Sequence, residues 1–164
     1  EMLVLGGLDA DIAGARARAA EALASGAAAE RFGRMVVALG GPADLLETPD
    51  RHLATAPIVV PVPAPRGGIV SGVDARGLGV AVVALGGGRR VAADTIDMAV
   101  GLVDMAPLGA RVSAGDPLAL VHARTEAAAR EAVGAVRAAI TLGDAMPLPM
   151  PAVIERVARP GATS

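Results

Sequence analysis

Gly86-Gly87-Gly88-Arg89-Arg90 is the stretch of this sequence whose residue types come closest to a ligand site. Unhindered backbone N–H groups beside two guanidinium groups suit an anion such as phosphate. The same residues also end a helix, because Leu78, Ala81, Val82 and Leu85 before them recur with helical period. A helix C-terminus carries the negative end of its dipole and disfavours an anion there. The dipole decides between the two readings. The turn is a helix cap whose arginines satisfy carbonyls or bridge to another domain.

The remaining candidates reduce to structural roles. Asp94, Asp97 and Asp104 could be imagined as a metal cluster, but no histidine accompanies them, and Asp94 and Asp97 fit a first-turn cap with a solvated neighbour. His52 and His122 lie far apart, and neither has a serine, cysteine or paired acid nearby that would make a triad. Gly77-Leu78-Gly79 begins like a dinucleotide fingerprint, yet Val82 stands where its third glycine belongs. Met98, Met105, Met146 and Met150 read as gap-filling core or contact residues. No residue is expected to serve in catalysis, in substrate binding or as a metal ligand, and no cofactor is expected.

What is missing narrows the chemistry further. All 15 basic residues counted as Lys or Arg are arginines, so Schiff-base chemistry, a P-loop lysine and a biotinyl or lipoyl attachment site are excluded. No cysteine is present, which removes disulfides, thiolate nucleophiles and Cys-based zinc sites and fits a reducing cytoplasm. A net charge of −2 without a basic run argues against nucleic acid, and Phe32, the sole aromatic residue, rules out a base-stacking platform. The mean hydropathy is +0.52. Even so, the charge-free runs Val80 to Leu85 and Met98 to Val103 fall far short of the roughly 18 residues a membrane span needs.

The elements that position these residues form an α+β pattern. A helix capped by Asp9 is expected to carry Ile12, Ala15, Ala19 and Leu23, and a second helix to carry Ala28, Phe32, Met35, Val36 and Leu39 as one stripe, stopped by Gly40-Gly41-Pro42. That hairpin needs a cover for its stripe. The start, Glu1 to Gly7, reads as the severed end of an apolar helix. A helical turn near Asp44 to Leu46 and a linker lead to a second domain beginning at Pro57. There, Ile58 to Pro63 is strand-like but confined to an edge by its prolines, and Ile69 to Val73 is a strand. Asp74 caps the helix that ends at Gly86. Two apolar runs, Val100 to Met105 and Leu118 to His122, flank a turn region from Gly109 to Pro117. A last helix from Thr125-Glu126 buries Ala129, Val133, Val136 and Ile140, pairs Glu126 with Arg130 on its wet side, and closes at Gly143; a final strand spans Val153 to Val157.

The glycine-spaced pattern Val100-Gly101-Leu102 to Gly109, Val112, Gly115, Pro117-Leu118 and Val121 resembles the hammerhead half of biotinyl and lipoyl domains, although the carrier lysine is missing. A non-catalytic interaction module of that kind is the alternative reading. In order and wording, Gly33-Arg34-Met35-Val36, Gly40-Gly41-Pro42, Leu78 through Arg90, Asp94-Thr95-Ile96-Asp97, Val100-Gly101, Gly109 through Leu118 and Val121-His122-Ala123 resemble the thymidine phosphorylase and pyrimidine-nucleoside phosphorylase family. The double arginine is most similar to its proteobacterial thymidine phosphorylase branch.

That resemblance implies an α/β-hammerhead, barrel-sandwich-like C-terminal domain over residues 57–164, preceded in residues 1–56 by the last helices of a large α/β domain and a linker. It implies a homodimeric, cytoplasmic, metal-independent pentosyltransferase, in which phosphate is a co-substrate and attacks the sugar C1 of a pyrimidine deoxynucleoside. The family's Lys-His-Ser-Thr phosphate loop and its pyrimidine-gripping Arg, Ser and Lys align upstream of Glu1. No position of this sequence inherits those roles, and the chain is expected to be inactive alone.

Overall fold

A computed structural model describes residues 1–148, 153–155 and 157. The fold is α+β, and the chain divides into two compact units, Glu1–Ala54 and Thr55–Ser164. Among the described residues no helix is long and apolar enough to cross a membrane.

The first unit is helical: α1 (Met2–Leu5), α2 (Ile12–Ala24), α3 (Ala27–Ala38) and α4 (Pro49–His52). The cap of α2 is Asp11 rather than the expected Asp9. Its Oδ1 accepts the Gly14 N–H at 2.8 Å, the three-residue reach of an N-cap, whereas Asp9 pairs with Arg18 Nε at 2.7 Å. Gly26, at φ 82°, separates α2 from α3 in a left-handed conformation suited to glycine. The stripe on α3 stays open: Phe32 is 45% and Met35 49% exposed, and Ala15 is the one buried hydrophobic residue described in this unit. Residues 43–47 form a turn, and the helical turn in this region is α4, with Pro49 at its start.

The second unit holds the core. Its elements run β1 (Ile58–Pro63), β2 (Gly68–Val73), α5 (Ala75–Leu85), β3 (Gly101–Val103), β4 (Arg111–Val112), β5 (Pro117–Ala123), α6 (Glu126–Ala139) and β6 (Ile140–Gly143). They build two antiparallel sheets of order β1-β5-β3 and β4-β2-β6. Pro61 and Pro63 do lie on an edge strand, where a missing N–H leaves no central ladder position empty. Strand β5 is central, with Val121 opposite Val60 on one side and Leu102 on the other. Helix α6 packs on β1 and β5, and α5 packs on α6. Val62, Val70, Leu118, Val121 and Val136 are fully buried where these elements meet.

The caps expected for both helices of this unit are in place. Asp74 accepts the Gly77 N–H at 3.0 Å and Thr125 Oγ1 accepts the Ala128 N–H at 3.2 Å. Helix α6 does not run to Gly143, however. It stops at Ala139, and Ile140 to Gly143 become a strand against β2, with Val73 opposite Ile140 and Ile69 opposite Gly143. The β-branched pair Ile140-Thr141 gains a strand partner there that a further helical turn would not supply. The Arg66 guanidinium also donates to the Leu142 carbonyl. Glu126 and Arg130 are both exposed and do not pair. In the expected final strand, Arg156 lies outside the described residues, while Val153, Ile154, Glu155 and Val157 belong to no strand, with Ile154 85% exposed.

Truncating Leu118 to Ala leaves a void at a position with 0% exposure. Urea denaturation should show a loss of about 2–5 kcal/mol. Val80→Ala on the 61% exposed face of α5 should change stability by no more than about 0.5 kcal/mol.

Candidate functional site

The turn that leaves α5 is a helix terminator. Gly86 sits at φ 98°, its N–H donates to the Val83 carbonyl at 3.0 Å, and the Gly87 N–H donates to the Val82 carbonyl at 2.9 Å. These two bonds are the Schellman pair that satisfies the last carbonyls of a helix. The following glycines are needed for close approach. A Cβ on Gly87 would lie 2.9 Å from Val82 Cγ1, and one on Gly88 would lie 2.7 Å from Val83 Cγ2.

The amides beyond the glycines already hold an anion, and it is the protein's own. Asp94 Oδ2 accepts the N–H groups of Arg90 at 2.9 Å and Val91 at 3.2 Å, with Arg90 Nε 3.8 Å from the same oxygen. The Arg90 amide, followed by that of Val91, holds the Asp94 carboxyl below its ordinary pKa. The Arg90 side chain remains 80% exposed, and Arg89 is exposed as well.

Asp97 is held from three directions. Its N–H donates to the Gly86 carbonyl at 2.9 Å, and its Oδ1 accepts the Ala99 N–H at 3.0 Å. Arg124, at the corner between β5 and α6, places Nε 2.6 Å from Oδ2 and Nη2 2.9 Å from Oδ1. This two-pronged, charge-assisted contact, with the Ala99 amide, lowers the Asp97 pKa to about 2. The same pairing raises Arg124 above its ordinary value. Asp104 stands apart, exposed and at φ 52°. The three aspartates therefore do not converge, and among the described residues no group of three His, Asp or Glu side chains is arranged to hold a metal.

The other residues singled out in the sequence lie elsewhere. Gly77 has its amide taken by Asp74 inside the first turn of α5, and Gly79 faces open space. His122 is half-buried in the central strand, opposite Val59 and Gly101. His52 does have an acidic partner, contrary to expectation: its Nε2 lies 2.7 Å from Asp44 Oδ1, while Thr48 Oγ1 donates to Asp44 Oδ2 at 2.8 Å. The carboxylate sits between hydroxyl and imidazole, so no base touches the hydroxyl and the set is not a nucleophile–base relay. Those bonds, Thr48 first and His52 second, lower the Asp44 pKa. Met98 is 78% and Met146 59% exposed, so neither fills the core; Met105 does pack against it, and Met150 lies outside the described residues.

Several pairings escape the sequence pattern, among them Asp9 with Arg18 and Arg66 with Asp144. Asp44 with His52 and Asp97 with Arg124 do so as well, each joining residues that no single helix or strand contains. Arg124 carried one weak signal, since it interrupts the passage from an apolar strand to a helix cap.

Residues 69–143 match the sequence profile of the pyrimidine nucleoside phosphorylase C-terminal domain. The second unit carries the C-terminal domain of the pyrimidine-nucleoside phosphorylase family. Over 157 residues, 96% of this chain, it is 59% identical to a thymidine phosphorylase of Burkholderia cenocepacia. It is 61% identical over 144 residues, 88% of the chain, to the thymidine phosphorylase of Burkholderia orbicola, and 57% identical over 157 residues to that of Burkholderia lata. The chain spans about a third of the length of these relatives, 36% of the first and 33% of the second.

With a folded-state pKa of about 2, the Asp97 carboxylate adds stability that is fully present above the ordinary Asp value. That contribution is lost as the pH falls from about 4 through about 2. An NMR titration of the side-chain carboxyl carbons should show Asp97 among the last aspartates to protonate. A midpoint near 4 would mean that the Arg124 contact does not persist in solution.

Proposed function

We propose that this chain is the C-terminal, non-catalytic part of a thymidine phosphorylase. In this reading, residues 1–56 are the last helices of the large α/β domain with their linker, and residues 57–164 are the C-terminal domain. The observation that carries it is the 59% identity spread over 96% of the chain, to enzymes named thymidine phosphorylase. The parent enzyme is a cytoplasmic homodimer that needs no metal or other cofactor. Phosphate attacks C1 of the deoxyribose of thymidine, the bond to the pyrimidine breaks, and thymine and 2-deoxyribose 1-phosphate leave.

Such a reaction needs donors fixed around both the departing base and the incoming phosphate. The arrangement of charges in this chain supports a structural part in that reaction. The chain contains no lysine. The Arg90 and Val91 amides that follow its glycine-rich turn are filled by Asp94, and the Asp97 carboxylate pairs with Arg124. Thus no residue here is assigned to catalysis, substrate binding or metal binding. The domain buttresses the phosphate-binding half of the parent, and the exposed Arg89 and Arg90 help to latch its closed state.

Purified, the 164-residue chain should release no thymine from thymidine and phosphate; phosphate-dependent release, in a preparation free of host enzyme, would refute the proposal. In a full-length enzyme containing this segment, replacing Arg89 and Arg90 by Ala should lower kcat/KM by about tenfold through turnover or KM. Unchanged kinetics would remove the latch from the account while leaving the assignment of the chain intact.

A further inference from the structure

Between Gly86 and Val100 the chain forms neither helix nor strand, although it starts at the end of α5 and runs directly into β3. Segments of this kind open at low cost unless something outside them holds them down. Most of its bonds are internal. Asp94 binds the Arg90 and Val91 amides, Asp97 binds the Ala99 amide, and the Asp97 N–H closes the base of the loop on the Gly86 carbonyl. Among the described residues, Arg124 is the side chain from another element that hydrogen-bonds into the segment.

Arg124 is well placed for this. It follows Ala123, which is 0% exposed at the end of the central strand, and precedes Thr125, the cap of α6. Its backbone is therefore fixed on both sides by the most deeply packed elements of the unit. Its Nη1 also donates to the carbonyl of Thr55, just ahead of β1, at 3.4 Å. One guanidinium thus joins the loop, the corner between β5 and α6, and the approach to β1.

The pair is only partly covered, with Arg124 50% and Asp97 28% exposed. Ion pairs at such sites contribute little to global stability, so this one can open without unfolding the core. We propose that Asp97 and Arg124 form an ionic lock that couples the order of the Gly86–Val100 loop to that of the Thr55–Ala56 approach, holding both when closed and releasing both when open. The lock requires the planar fork of arginine. A lysine keeps the charge but cannot span both carboxylate oxygens and the Thr55 carbonyl.

Hydrogen–deuterium exchange on the whole 164-residue chain tests the coupling. Asp97→Asn and Arg124→Gln should each speed exchange at the bonded amides between Arg90 and Ala99 by about fivefold, the scale set by a partly exposed ion pair, and each should shift the carbonyl-carbon NMR resonance of Thr55, the acceptor in the approach to β1. Amides of β5 and α6 should keep their wild-type rates. The double variant should match the single ones, and Arg124→Lys should also exchange faster than wild type. Wild-type rates in the single variants, loosening of the loop with the Thr55 resonance unmoved, or additive effects in the double variant would each overturn the lock. So would loss of the far-UV circular dichroism signal in Arg124→Lys, because the pair would then be a support of the fold itself.

Discussion

The seating of α6 on β5 and β1 is the contact on which the second unit depends. With Phe32 the only aromatic residue in the chain, and that one in the first unit, the core has to be assembled from aliphatic side chains alone. It does so by alternation on the central strand. Ala119, Val121 and Ala123 are all fully buried at alternate positions, and Leu118 is buried beside them. The alanines at 129, 132 and 139 keep α6 close to its neighbours, and Val136 fills the space that remains. Burying each large member of this set is worth roughly 1.5–3 kcal/mol relative to exposure. From this seat the chain turns directly into β6, which closes the second sheet against β2. The corner that starts α6 also aims Arg124, so the same packing fixes the best-defined charge pair on the surface.

The polar groups that look available in the sequence are largely occupied by one another. A glycine-rich turn with two arginines invites an anion, and the fold supplies one from four residues further along, in Asp94. A second aspartate, Asp97, meets Arg124 across the domain. Self-satisfaction of this kind suits the supporting role proposed above. It also explains why three aspartates close in sequence give no metal cluster: two of them already have better partners, and the third faces water.

Much of the fold was legible because its signals are local. The periodicity of Leu78, Ala81, Val82 and Leu85 gave α5, the prolines of β1 gave its edge position, and Asp74 and Thr125 announced their helices. Where two local readings competed, tertiary contact decided. Ile140 continues the apolar stripe of α6 perfectly well, but strand pairing with Val73 takes it away. Asp9 and Asp11 are both good caps by type, and the choice followed from Arg18 drawing Asp9 aside. The pairings of Asp44 with His52 and of Asp97 with Arg124 left almost no local trace, the break that Arg124 makes between strand and helix cap being the one weak sign. The family resemblance was legible for a different reason, since it rests on the literal order of residues from Leu78 to Arg90 rather than on any period.

The central claim is that Asp94 fills the anion position at the Arg90 and Val91 amides, as the proposed supporting role requires. Isothermal titration of the purified chain with inorganic phosphate tests that claim most directly. The account predicts heats of dilution alone up to millimolar concentrations. A saturable isotherm abolished by Arg90→Ala would contradict it, because phosphate would then be displacing Asp94 from the turn.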